Sequence, residues 1–213
     1  MRSNTKKIVI LSFALIMTVL AISGGTFAFF NARRDAANNV ITGTVYQLDA
    51  NVSVETIKSG NIIPVVDNLI ISSLNGSYPC EDNRGYRLCS LYKVTVTNSG
   101  SAILLNGYIN TNTGTTFTTS DLKYQLLTKS GNTYTSASDV GVINTAVNSK
   151  NYFKLSSSNI NFTLNNSGSF EYYVVLWLSD DGSNQLDTVN KVYKGSFTFE
   201  TMNGGTVSAT FNS

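Results

Sequence analysis

From Val40 to Phe211 the chain is a succession of short β-prone runs broken by polar turns, and this punctuation limits its fold more than any other feature. Leu88 to Thr97 shows the pattern well: Leu91, Lys93, Thr95 and Thr97 oppose Tyr92, Val94 and Val96, the period of two that places alternate side chains on opposite faces of a strand. Asn98-Ser99-Gly100-Ser101 then turns the chain into a run from Ile103 to Ile109, with Asn106-Gly107 read as a bulge or kink. Leu122 to Thr128 leads through Ser130-Gly131-Asn132, a hairpin signal, into Thr133-Tyr134-Thr135. Tyr152 to Leu155, Ile160 to Leu164, Lys191 to Thr201 and Thr206 to Phe211 are further short strands, the last two joined across Asn203-Gly204-Gly205. Phe170 to Leu178 is the most apolar run after residue 30 and lies between turn residues, which predicts a central strand buried on both faces. Ile62 to Ile71 reads as another β-rich run whose start Pro64 demotes to an edge or bend. Residues 136–150 fit either a short helical face or a buried loop. Strands with turns every 8–12 residues predict an all-β chain, a jelly-roll-like or Ig-like β-sandwich.

The first thirty residues follow a different rule. Arg2, Lys6 and Lys7 precede an apolar run from Ile8 to Ile22, and Thr26-Phe27-Ala28 supplies small residues for a peptidase cut between Ala28 and Phe29. That is the layout of a secretory leader, with charge for orientation and an apolar helix for entry. A permanent anchor is the competing reading, because residues 8–30 are long enough to span a bilayer. A prepilin leader fits less well, since no Gly-Phe with a following Glu stands ahead of the apolar run. The expected organisation is therefore a signal peptide over 1–28, a flexible entry over 29–39 and one sandwich domain over 40–213.

Charge and residue types then exclude functions. Beyond residue 28 stand 12 of the 15 bases against all 13 acids, a net charge of −1, and a nucleic-acid partner would demand a basic face. The chain has no histidine. Ser-His-Asp, Cys-His and His-Glu-x-x-His chemistry are all ruled out with it. No glycine-rich phosphate loop opens a helix, and Asp180 and Asp181, being adjacent, would point apart rather than work as a glycosidase pair. The expectation is a non-enzyme without cofactor. Cys80 and Cys89 form an even pair, read first as a disulfide around a turn-rich tip, with free thiols or metal ligands as alternatives that lack a zinc spacing. Asp180, Asn184 and Asp187 surround a glycine turn and are a faint calcium candidate; an ordinary Asp-Gly turn is the plainer reading. Trp177 and Tyr172-Tyr173 are sugar-platform candidates, but in so apolar a run they read as core.

Ser23-Gly24-Gly25-Thr26-Phe27-Ala28-Phe29-Phe30-Asn31, followed by Asn38-Asn39-Val40-Ile41-Thr42-Gly43-Thr44-Val45, resembles the leader and first strand of the TasA/camelysin family. Tyr92 to Ser101 and Trp177 to Gln185 are similar to strands of that family. The resemblance implies cleavage by a SipW-type signal peptidase, secretion to the surface or biofilm matrix of a Gram-positive-type bacterium, and self-association into fibres. Camelysin protease activity does not carry over, because the chain has no zinc-binding histidines. The residues themselves favour the same role. Val40 to Ile57, and within it Val40, Thr44, Val45, Tyr46 and Leu48, is a β-prone segment just after the cut, able to add as a strand to an exposed sheet edge. The alternative is a monomeric surface adhesin or ligand-binding β-sandwich module.

Overall fold

The computed structural model describes residues 48–180, 182, 185, 188 and 190–212. Contacts divide the chain into units Met1–Val45 and Tyr46–Ser213, and all described residues belong to the second. Both of its hydrophobic clusters are built from residues from Leu48 onward.

Two antiparallel sheets face each other. The first runs in the order β1 (Ala50–Lys58), β2 (Ser90–Asn98), β11 (Ser169–Leu178), β4 (Leu122–Ser130) and β5 (Thr133–Ser136), with β6 (Gly141–Val142) on β4 beyond the end of β5. In the second the order is β10 (Asn161–Leu164), β3 (Ile103–Thr111), β12 (Lys194–Thr201) and β13 (Thr206–Asn212). There β7 (Lys150–Tyr152) also pairs with β3. A small hairpin, β8 (Lys154–Leu155) with β9 (Ser158–Asn159), stands apart. The expected all-β sandwich is the architecture.

Strand alternation decides what lies between the sheets. Tyr92, Val94 and Val96 of β2 point inward with Val174, Leu176 and Leu178 of β11 and Leu122, Tyr124 and Leu126 of β4. They meet Leu105, Ile109, Phe162, Phe197, Phe199 and Phe211 from the second sheet. Each such side chain removed from water contributes roughly 1.5–3 kcal/mol before entropy is subtracted. Gly107 is no bulge: pairing runs through it without a break, opposite Phe199. A Cβ there would come within 2.8 Å of Phe199, 2.9 Å of Phe162 and 3.0 Å of Phe153, so the glycine makes room for three converging rings.

β11 is central, paired with β2 on one side and β4 on the other. Its outward residues Tyr173, Val175 and Trp177 are buried as well, because residues 59–89 form a third layer over that part of the sheet. Here the structure corrects the reading of Ile62 to Ile71 as a strand run. Only Val65 makes a bridge, parallel to Ser179. Asp67–Leu69 is a 3-10 turn and α1 (Ile70–Leu74) is a short helix. Ile70 and Leu74, one helical turn apart, both point into the sheet, so the relevant spacing is four rather than two. Asp67 fixes the turn by accepting hydrogen bonds from Trp177 Nε1 and Ser179 Oγ, each at 2.8 Å. Asn75 locks the far end of α1 onto β5 through a reciprocal pair of bonds with the Tyr134 backbone.

The Cys80–Cys89 bridge expected from the pair is formed, with S–S 2.06 Å, and both residues are fully buried in this outer cluster. Between them a tight hairpin turns at Gly85, whose φ of +83° suits a glycine. The Asp82 carboxylate accepts the N–H groups of Arg84 and Tyr86 there. Residues 136–150, left open between helix and loop, are not helical: they form a loop that contributes β6 and turns at 146–148, with Ile143 buried and Val140, Val142 and Val147 exposed.

One pole of the sandwich is stitched by Asn98. Its backbone N–H bonds Gly168 O, and its side-chain amide donates to Ser101 O at 2.7 Å and Asn165 O at 3.0 Å. Asn98-Ser99-Gly100-Ser101 and Asn166-Ser167-Gly168-Ser169, two similar stretches of sequence, are thus neighbouring crossovers held by one side chain.

Candidate functional site: a bare edge strand and an end cleft

The flanks of the sandwich differ. On one, the outer strands are short pieces: β5 and β6 in the first sheet, β7 and β10 in the second. Short edge strands offer little to pair with. On the other flank β1 and β13 lie against each other, and among the described residues β1 pairs only with β2 and β13 only with β12. β1 carries Glu55 and Lys58, whereas β13, Thr-Val-Ser-Ala-Thr-Phe-Asn, has neither charge nor proline along seven residues. Val207, Ala209 and Phe211 pack on the core while Thr206, Ser208 and Thr210 are exposed. Uncharged, proline-free and rich in β-branched residues, β13 lacks the devices by which edge strands discourage pairing.

Of the candidate donor residues, Val40, Thr44, Val45 and Tyr46 lie outside the described residues, as do Ala28 and Phe29 at the expected cut. Leu48 is half-buried and packs on the sandwich core. Asp49 is tied down as well, its carbonyl accepting both the N–H and the hydroxyl of Ser99. Ala50 to Ile57 belongs to β1, on the chain's own sheet. A donated segment consistent with this fold therefore ends before Leu48, shorter than the Val40 to Ile57 stretch read from sequence.

At the pole opposite Asn98 the two sheets part around a cleft of about 630 Å³. Gly60 to Pro64 form one side, Lys191 to Tyr193 another, and Phe117, Leu122 and Leu178 an apolar lining. Ser90, the first residue of β2, lines it too. It is fully buried, and its hydroxyl has no hydrogen-bond partner among the described residues. Tyr193 packs deep, its phenol pushed up to about 12 by burial and sharing a hydrogen bond with Thr111 Oγ1 at 3.2 Å. Among the described residues, Asp180 and Lys191 are the charged ones of the lining. Asp180 Oδ1 accepts the Gly182 N–H at 2.9 Å, the geometry of a local turn. Its suggested calcium partners Asn184 and Asp187 lie outside the described residues.

The aromatic run of β11 is core. Trp177 and Tyr173 are buried under the third layer, and Tyr172 packs among Phe162 and Phe170 inside the sandwich. Sequence reading gave no sign of a polar cluster on the outer face of the second sheet. There Lys150 Nζ bonds Glu200 at 2.6 Å and sits 4.9 Å over the Tyr108 ring, while Tyr152 donates its hydroxyl to Glu200. Burial raises the Glu200 pKa, but the bonds from Lys150 and Tyr152 outweigh it and the carboxyl is held below its usual range. The four residues meet only because β7 docks on the side of β3 opposite β12, a pairing no local pattern announces. Among the described residues no helix is long and apolar enough to cross a membrane.

No family model matches the chain, and no curated protein does. Among solved structures, the sporulation control protein Spo0M from Bacillus subtilis is similar over 77% of this chain, at a TM-score of 0.37 and 8% identity. The match spans 48% of the Spo0M chain, less than half its length. A likeness this slight bears on neither the role of the chain nor its resemblance to the TasA/camelysin family.

Proposed function

We propose that this chain is an exported structural protein of a bacterial cell surface or extracellular matrix that assembles by β-strand addition. The observation that carries the reading is β13, a seven-residue edge with no charge and no proline. An extended segment laid along such an edge gains main-chain hydrogen bonds over its length. The β-prone stretch from Val40 to Tyr46 is the matching donor, freed when the leader is cut between Ala28 and Phe29 by a SipW-type peptidase. Camelysin-like and TasA-like features of the leader support the same assignment. In this reading the membrane is met only through residues 8–30, as anchor if they stay and as leader if they go.

The test is electron microscopy of the chain starting at Phe29. Fibres are expected from it, and none from a form lacking residues 29–47 or from S208K/T210K, which places two lysines on the exposed side of β13. Both altered forms should keep the cooperative melt of the parent. Fibres that persist in both would refute strand addition at this edge. The alternative, a monomeric adhesin or ligand-binding module, draws on the end cleft instead; a monomer at all concentrations in size-exclusion chromatography would favour it.

A further inference from the structure

We propose that the end cleft is a binding site for a neutral, polyhydroxylated ligand, a mono- or disaccharide, with the Ser90 hydroxyl as a hydrogen-bonding anchor at its base. Ser90 opens β2. On β2 it has the same parity as Tyr92, Val94 and Val96, so it points between the sheets, and it pairs with Leu176 of β11. Inner positions of this sheet are otherwise apolar or aromatic along this strand up to Asn98. A hydroxyl that is fully buried and has no partner among the described residues has lost its water without compensation. Such groups are few in native proteins, and each calls for an explanation. This one lines the cleft, so a ligand entering there could complete it.

The rest of the lining selects the ligand class. Among the described lining residues one carboxylate, Asp180, is balanced by one ammonium, Lys191, with no excess of either sign to hold a phosphate or a polyamine. Asn61 and Gln185 add amides, which both donate and accept as sugar hydroxyls do. Against them stand Phe117 and Leu178, an apolar surface suited to the C–H face of a pyranose. A volume of about 630 Å³ falls within the usual range for small-molecule sites. The site lies at a pole of the sandwich and β13 on its flank, so sugar binding and fibre formation stand or fall separately.

Two variants make the proposal decidable. S90A removes the anchor, and because that hydroxyl has no protein partner the free protein should melt at the same temperature or higher. N61W places a bulky side chain at the exposed rim, where folding is not at stake. The chain starting at Phe29 is titrated by calorimetry with glucose, galactose, N-acetylglucosamine, cellobiose and lactose. At least one is expected to bind, about fivefold to tenfold more weakly to S90A, the loss of one neutral hydrogen bond, and not at all to N61W. The proposal is overturned if no sugar of the panel binds, if binding survives N61W, or if S90A binds as tightly as the parent. It is also overturned if S90A melts lower, which would make Ser90 a structural group, or if a fatty acid binds in place of the sugars and is blocked by N61W.

Discussion

Asp67 is the residue whose removal should most disturb the third layer. Its Oδ1 accepts from Trp177 Nε1 and Ser179 Oγ at 2.8 Å each, and its Oδ2 from Lys123 Nζ. Trp177 is fully buried, so in D67A the indole N–H keeps its desolvation and loses its acceptor. A buried donor left unmade costs about 1–3 kcal/mol. The Asp67 side chain is itself 39% exposed, which screens its charge and places each bond toward the low end. Two such bonds, plus a surface ion pair worth about 0–1 kcal/mol, give about 2–3 kcal/mol in all. For a domain of this size that lowers Tm by about 5–10 °C. D67N retains an acceptor oxygen for Trp177 and Ser179 and should lose about 1 kcal/mol or less. The assay is a thermal melt followed by the fluorescence of Trp177, the one tryptophan of the chain. In a double-mutant cycle with W177F, followed at all four corners by circular dichroism because that substitution removes the fluorophore, the coupling should be about 1–2 kcal/mol. The pH dependence has a definite sign. Burial raises the Asp67 pKa, but hydrogen bonds from Lys123, Trp177 and Ser179 outweigh it and hold the folded value below 3.8. Stability from a depressed carboxyl is complete above the unfolded value and lost as pH falls through the folded one. The gap between wild type and D67A should therefore narrow below pH 3.8. Equal stability of D67A and wild type, D67N as damaging as D67A, or strict additivity with W177F would refute the account.

Two further outcomes follow from packing and covalent structure. In G107A the new methyl meets Phe199, Phe162 and Phe153 at 3.0 Å or less, an overpacking cost of about 1–3 kcal/mol that a shift of the urea midpoint would report; an unchanged midpoint would mean the rings yield. C80S/C89S frees a loop of nine-residue separation, a loss of about 2.5–3 kcal/mol by chain entropy, and because both cysteines are fully buried, alkylation after mild reductant should trap no thiol in the folded parent.

Much of the fold was legible because strand alternation is local. β2, β4, the Gly131-Asn132 hairpin and β13 follow from period-two runs and the turns between them, and each leaves one face for the core. The double burial of Phe170 to Leu178 was also readable from its unbroken apolarity. What covers the outer face was not. Ile62 to Ile71 is β-branched and apolar, yet its conformation is set by Trp177 and Ser179, more than a hundred residues away, which draw Asp67 into a turn. Gly107 read as a break in a strand because the rings that demand it come from three other strands or loops. The cleft belongs to the same class: Ser90 is an unremarkable strand residue until Phe117, Leu178 and Tyr193 arrive around it. Its one sequence signal is a lone hydroxyl on an otherwise apolar face.

Ser90 and Asn98 are the two ends of β2, about 26 Å apart along the strand. At one end an amide draws two loops together, and at the other a hydroxyl stands beneath an opening. The body thus has a head and a tail, and copies joined flank to flank in one sense would set their openings in a row along one side of a fibre, while alternating copies would divide them between both.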